Sequence, residues 1–293
     1  MVFFETLKKY EDEVKEAVDE LFETAFKNQK YDTDILIVLI HGFYDDTHRE
    51  FFEKNRLSLY TFGPAHVGYS LDTFYEFFHF YRTITVSKKK FLKALKKADT
   101  KERFEHQERL NINLELLIYL KFWESDLLLR QLYNLTNLAS GKHYEWDFKV
   151  VHGRQSLIRK HIQTPLKIIC PKFYALIEET YSAQIRNAVA HSKYYLLGRS
   201  LQLANSDPKN NLFNIPFDEW EVRFHKVLLT YNFIIGNIQK FEDHYQNEVK
   251  DKHFGLPLSV PKLNHLGLRK NQWVKYDDSR KRWLWSSQLD NES

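Results

Sequence analysis

Nine glycines and seven prolines in 293 residues are too few for a chain that must turn tightly many times. That scarcity disfavours a sandwich or a barrel and favours long helices. Cysteine is scarcer still. Cys170 stands alone, which excludes an intramolecular disulfide framework and a cysteine-rich zinc site; a buried, small apolar residue is the ordinary reading. Long hydrophobic runs are also missing. The longest aliphatic stretch, Ile35–Ile40, falls far short of the roughly 20 residues that cross a bilayer. The N-terminal MVFFETLKKYEDEVKE turns acidic within a few residues and does not read as a secretory signal. The expectation is a soluble protein of a reducing cytoplasm, without membrane association.

What the chain does contain is a globular balance, 43% hydrophobic and 28% charged, with 16% aromatic residues. The formal net charge is only +4, but the nine Lys/Arg and five Asp/Glu between Lys250 and Ser293 account for all of it. The same tail holds Trp273, Trp283 and Trp285. Cations interleaved with flat aromatics can hold a phosphate backbone and stack bases. The plainer reading is a tail pinned to the body by its tryptophans, with its charges solvated.

Apolar residues Phe4, Leu7, Val14, Val18, Leu21, Phe22 and Phe26 recur at three- and four-residue spacing, predicting an amphipathic helix over 3–28. Asp34 can cap a second helix through Ile35–Ile40, and Ser70 or Asp72 a third through Phe74, Phe77, Phe78 and Tyr81. Lysine-rich Lys88–Lys97 and polar Thr100–Arg109 read as a solvated connection or as exposed helix faces. From Leu110 to Leu138 the pattern is helical again. On one continuous wheel Leu117, Leu120, Leu127, Leu128, Leu135 and Leu138 share a face, with Glu124 and Gln131 inside it. A carboxylate there needs a partner or a polar cleft. Gly141 ends that helix. A Gln155–Ile169 helix is interrupted by Pro171, Phe173–Leu197 reads as one further helix, Leu201–Pro216 as a loop and Phe217–Lys250 as the last helix. The tail suggests a small hairpin about Tyr276–Arg280. The expected fold is therefore all-α. Its parts would be an N-terminal helical region (1–100) of open role, a helical domain (101–250), and a basic, Trp-containing tail (251–293) with a β-hairpin.

Two candidate sites fail on spacing. Ile35–Thr47 (ILIVLIHGFYDDT) has the look of an α/β-hydrolase strand and oxyanion loop. The nearest nucleophile string, Gly68-Tyr-Ser70-Leu-Asp72, lacks the second glycine of the elbow. His41, Asp45, Asp46 and His48 carry metal-ligating atoms without a metal-site spacing, and surface or capping histidines are the better account. No metal or cofactor is expected.

The third candidate is Arg186-Asn187-Ala-Val-Ala-His191. Asn187 and His191, four apart, would share a helix face, so the amide could orient the imidazole. Arg186 lies roughly 140° from His191 on the same wheel, so one straight helix cannot aim both at one atom. An arginine neutralises a phosphate bidentately, and a histidine near neutrality moves a proton. Together they suffice for metal-free RNA cleavage by the 2′-hydroxyl. The bland alternative is a surface Arg and a capping His.

The string Tyr181-Ser-Ala-Gln-Ile-Arg186-Asn187-Ala-Val-Ala-His191-Ser resembles the R-x(4–6)-H motif of the HEPN superfamily, with a polar residue after the arginine. The resemblance spans roughly residues 105–250. It implies a HEPN-type helical bundle that forms a homodimer and so juxtaposes two motif helices. Many such proteins are metal-independent ribonucleases of phage defence, abortive infection or toxin–antitoxin pairs. By resemblance Arg186 and His191 would be catalytic, Asn187 supporting, and Glu124 the helix-borne acidic residue. Lys193 and Tyr194, just past the motif, would contact RNA. Toxins of this superfamily that a nucleotidyltransferase silences carry tyrosine two residues after the histidine. Here that residue is Lys193, which puts such regulation in doubt, while an antitoxin or other regulatory protein stays open as a partner. A non-catalytic helical module binding nucleic acid or a protein is the competing function.

Overall fold

A computed structural model describes residues 1–41, 85–145, 148, 150, 153–205, 212–250, 252, 255–261, 269–278 and 282–285. It is mainly helical, with two small antiparallel sheets. In chain order the elements are α1 (Phe4–Asn28), α2 (Asp34–His41), α3 (Lys88–Leu95), α4 (Lys101–Glu124) and α5 (Asp126–Ala139). A composite helix follows: α6 (Arg154–Ser156), a π-helical stretch (Leu157–Gln163) and α7 (Thr164–Ile169). Then come α8 (Pro171–Thr180), α9 (Ala183–Ala190), β1 (Tyr194–Leu197), β2 (Ser200–Leu203), β3 (Asn214–Pro216) and α10 (Phe217–Lys250). Strands β4 (Leu256–Pro261), β5 (Arg269–Asp277) and β6 (Arg282–Trp285) end the chain's described part.

The chain divides into two compact units: Met1–Val18, Phe74–Ser125 and Pro171–Phe233 in the first, and Asp19–Thr73, Asp126–Cys170 and Ile234–Ser293 in the second. The boundaries expected at 100 and 250 each fall inside a unit.

In the first unit Tyr119, Phe122, Trp123, Phe173, Ile177, Ile185, Trp220 and Phe224 form the core, each almost fully buried. Trp220 meets Tyr119 edge-on at 5.4 Å and donates its Nε1–H to Glu115 Oε2 at 2.8 Å. Buried charges are paired, as they must be: Lys226 Nζ reaches Glu13 at 2.6 Å and also Glu179. The Phe3 amide donates to the buried His225 Nε2 at 2.8 Å, beside a parallel bridge from Phe3 to Val86.

In the second unit Ile35 to Leu39 are all buried where α2 packs on α5. Asn134 imitates a strand neighbour, accepting from the Glu145 amide at 2.8 Å and donating to its carbonyl at 3.3 Å. The basic tail folds as a three-stranded antiparallel sheet in the order β4-β5-β6, more than the expected hairpin. Leu256, Leu258, Val274 and Trp283 are buried in it. Gly255 (φ +87°) starts the sheet, and a Cβ there would stand 2.1 Å from the Val274 carbonyl oxygen. Cys170 is buried, and burial pushes its thiol up to about 11.

Three expectations need correction. Leu110–Leu138 is two helices, broken at Ser125 (φ −68°, ψ 109°), so a single wheel misassigns its faces: Leu117 is 53% exposed and Gln131 is buried. Phe173–Leu197 is α8, then α9, then β1, and the supposed loop after it carries β2 and β3. These strands qualify the all-α class. Ile35–His41 is helical, as capping at Asp34 predicts and a hydrolase strand does not allow. The expected helix over 70–81 and residues Asp45, Asp46 and His48 lie outside the described residues.

Candidate functional site

The motif helix α9 exists because the chain breaks before it. Ser182 is extended (φ −135°, ψ 117°), and its hydroxyl accepts the Ile185 amide at 3.3 Å, a serine N-cap. Tyr119 of α4 fixes the same break, its Oη accepting from the Ser182 amide at 2.8 Å. Burial raises the Tyr119 pKa, so the phenol stays protonated. Buried Ala183 and Ala188 let α9 lie close against α4.

That approach brings Arg186 to the last residue of α4. Its Nη1 is 2.9 Å from Glu124 Oε1, and its Nη2 donates to Asn187 Oδ1 at 2.6 Å. A carboxylate at a helix C-terminus faces the negative end of the helix dipole, so the guanidinium offsets two repulsions at once. The Arg186 and Glu124 side chains are 17% and 28% exposed, which leaves the pair reachable from solvent. Arg186 Nε, Trp123 Nε1 and Arg223 Nε are buried N–H groups without an acceptor among the described residues. Trp123 precedes Glu124 and packs against Tyr181 at 5.0 Å, while Arg186 and Arg223 both lie within electrostatic reach of Tyr119.

His191 is the C-cap of α9, with its ring exposed. The helix closes in a Schellman motif: the Ser192 amide donates to Val189 O at 3.2 Å, and the Lys193 amide to Ala188 O at 2.7 Å. Ser192 takes the left-handed position (φ +52°) that glycine usually fills. Asn187 serves Arg186 rather than the histidine, so its expected role in orienting the imidazole is not observed.

Past the motif, Lys193 is exposed, whereas Tyr194 is half-buried and donates its hydroxyl to Asn113 Oδ1 at 3.0 Å. The outward ring at this edge is Tyr195, 53% exposed, which strand alternation would have singled out had β1 been read as a strand. Sequence reasoning also missed Gln184 and Arg199. Gln184, buried in α9, donates to Asn205 O and Leu212 O at 2.8 and 3.0 Å and accepts the Leu212 amide at 3.0 Å. Arg199 and Gly198 (φ +56° and +57°) form the two-residue turn between β1 and β2. Arg199 binds Glu108 through two nitrogens at 3.0 and 2.9 Å.

A cavity of about 10 Å³, room for one water, lies among Phe3, Lys88, Glu108, Glu115, Arg199 and Glu221. Its carboxylates are engaged by Arg199, Trp220 and Lys88. Among the described residues no group of three His, Cys, Asp or Glu is placed to hold a metal ion. No helix there is long and apolar enough to cross a membrane. No protein-family model matches the chain, and neither a curated protein nor a solved structure matches it.

Proposed function

We propose that the protein is a metal-independent RNA endonuclease of the HEPN type, acting in phage defence or as a toxin, with Arg186 and His191 as its catalytic residues. One observation carries the reading. The Arg186 guanidinium is held in place by Glu124 and Asn187, with its side chain 17% exposed, and an exposed histidine stands five residues on, at the end of the same short helix. A preorganised fork of this kind is suited to a phosphate whose charge grows as it is attacked. In the reaction, an imidazole removes the proton of a ribose 2′-hydroxyl and the oxygen attacks the adjacent phosphorus. The P–O5′ bond breaks, and an acid protonates the leaving 5′-oxygen. The products are a 2′,3′-cyclic phosphate and a 5′-hydroxyl.

Arg186 points to α4 while His191 sits at the solvent end of α9, so two copies of the chain supply the complete set of groups. Asn187 and Glu124 are positioning residues. An antitoxin or another regulatory protein would act by covering this edge.

The test is cleavage of a labelled RNA in EDTA by wild type, Arg186→Ala and His191→Ala, with the ends identified. Loss in both variants and cyclic phosphate ends in wild type are expected; cleavage that survives both substitutions refutes the assignment. A second reading, a non-catalytic RNA-binding module, is favoured by the Arg186–Glu124 pair, which occupies the guanidinium, and by the absence of an orienting partner for the His191 ring among the described residues. Binding without turnover in the same assay would select it.

A further inference from the structure

In the second unit, residues 148–170 contain no Asp or Glu, yet they carry Lys149, Arg154, Arg159, Lys160 and Lys167, with His152 and His161. Their described part is the composite helix of α6, the π-helical stretch and α7. Pro165 explains its shape. In an α-helix the proline ring would meet the carbonyl of residue 161, and it has no N–H to donate. The helix widens ahead of it, and both the amide and the hydroxyl of Thr164 donate to the Arg159 carbonyl, the hydroxyl at 2.7 Å.

The wider turn sorts the side chains. Buried Leu157 and Ile158 recur five residues later as buried Ile162 and Gln163, and this face packs on α5. The opposite face presents Arg159, Lys160 and His161 consecutively, then Lys167 and Ile168, all exposed. π-Helical turns are rare and frequently lie at functional sites. Of the described acids close in sequence, Asp126 pairs with Arg154 at 2.9 Å and Glu145 accepts the Tyr133 hydroxyl at 2.6 Å. Neither Arg159 nor Lys160 makes an ion pair among the described residues.

We infer that this face binds the phosphodiester backbone of single-stranded RNA. Long cations without apolar anchors suit a uniformly charged polymer, for which electrostatics alone supplies the affinity. A protein partner would need buried aromatic or arginine anchors at the centre of its contact. A lipid surface would need a broad outward apolar face, and among the described residues of this helix Ile168 is the one fully outward apolar side chain. The inference rests on the reading of the protein as RNA-directed, and it adds a second contact on a different unit from Arg186.

The test uses the full chain carrying Arg186→Ala and His191→Ala, so that binding is read without cleavage. Anisotropy of a labelled unstructured RNA is followed across salt concentrations, with and without Arg159→Gln, Lys160→Gln and Lys167→Gln. Because a single strand contributes a slope of about 0.7 per neutralised phosphate, the triple variant should flatten the log–log salt slope by about 2. It should weaken binding on the order of tenfold or more near physiological salt. A matched triple at the exposed Lys89, Lys90 and Lys93 should do less. An unchanged slope, equal losses in the two triples, or preference for polyglutamate or phosphatidylglycerol vesicles over RNA overturns it. Cleavage activity is scored separately in the parent chain, so absence of turnover with intact, face-dependent binding would remove the nuclease reading and leave this one standing.

Discussion

His225 should make the first unit sensitive to acid in a way a single substitution can isolate. The side chain is fully buried, and both ring nitrogens are committed. Nε2 accepts from the Phe3 amide at 2.8 Å, and the other nitrogen faces the Glu221 carbonyl at 2.6 Å. A backbone amide can only donate, so Nε2 must keep its lone pair and the single proton must sit on Nδ1. A second proton would set N–H against N–H. Burial, aided by the Lys88 charge and opposed by the Glu221 carbonyl, pushes the pKa down from 6.5 to about 3. The folded chain then binds fewer protons than the unfolded chain between those values, so stability is present above pH 6.5 and is lost as pH falls towards 3. Between pH 7 and pH 4.5 the loss comes to about 2–3 kcal/mol, a large share of an ordinary folding free energy.

The assay is urea unfolding of wild type and His225→Gln at several pH values in that range. Glutamine can still accept the Phe3 amide, but it cannot titrate. The variant should be less stable at pH 7, from the lost bond to Glu221, and should show a shallower fall by roughly 1.4 kcal/mol per pH unit below 6. All other ionisable groups are common to both proteins and cancel in the comparison. Parallel pH profiles would refute the argument.

Two further outcomes follow from the left-handed residues. Ser192→Gly should leave stability equal or up to about 1 kcal/mol higher, while Ser192→Val should lower it by about 1–2 kcal/mol, because a branched side chain is crowded at φ +52°; a valine variant as stable as the glycine one would show that the Schellman closure is absent. Arg199→Ala should cost about 2 kcal/mol by stranding the Glu108 carboxylate, whose side chain is 8% exposed. Adding Glu108→Gln should recover part of that loss in thermal or urea melts, and failure to recover any would mean the pair is not what holds the turn.

Much of the helical plan was legible because it rests on periodicity. Phe217–Lys250 reads as one helix from its apolar stripe, and Leu7, Val14, Val18 and Phe22 mark the inner face of α1. The breaks were not legible. Ser125 carries no glycine or proline to announce it, and Leu120 to Leu128 keep a helical rhythm across the join. At Tyr181-Ser182 the serine is an ordinary cap signal, but the apolar spacing of Ile177, Tyr181 and Ile185 runs straight through it. Tyr119, distant in sequence, holds that corner. Tyr194–Leu203 was hidden for another reason: its turn is Gly198-Arg199, whose second residue is an arginine at φ +56° bound to the distant Glu108.

The same breaks decide what could be known of the site. Glu124 was suspect because one long wheel placed it among leucines, and that premise is false, since the helix ends at Glu124. Yet ending there is what aims the carboxylate at Arg186. Had α4 run on through Ser125, Glu124 would bond along its own helix. Had α8 run on through Ser182, Arg186 would not start a new direction from a capped turn. The pairing is therefore a property of two helix ends, and spacing within either helix could not have produced it. Arg186 and His191 are kept apart by such an end as well: Arg186 turns to the last residue of α4, while His191 caps α9 outside helical geometry (φ −109°, ψ 13°).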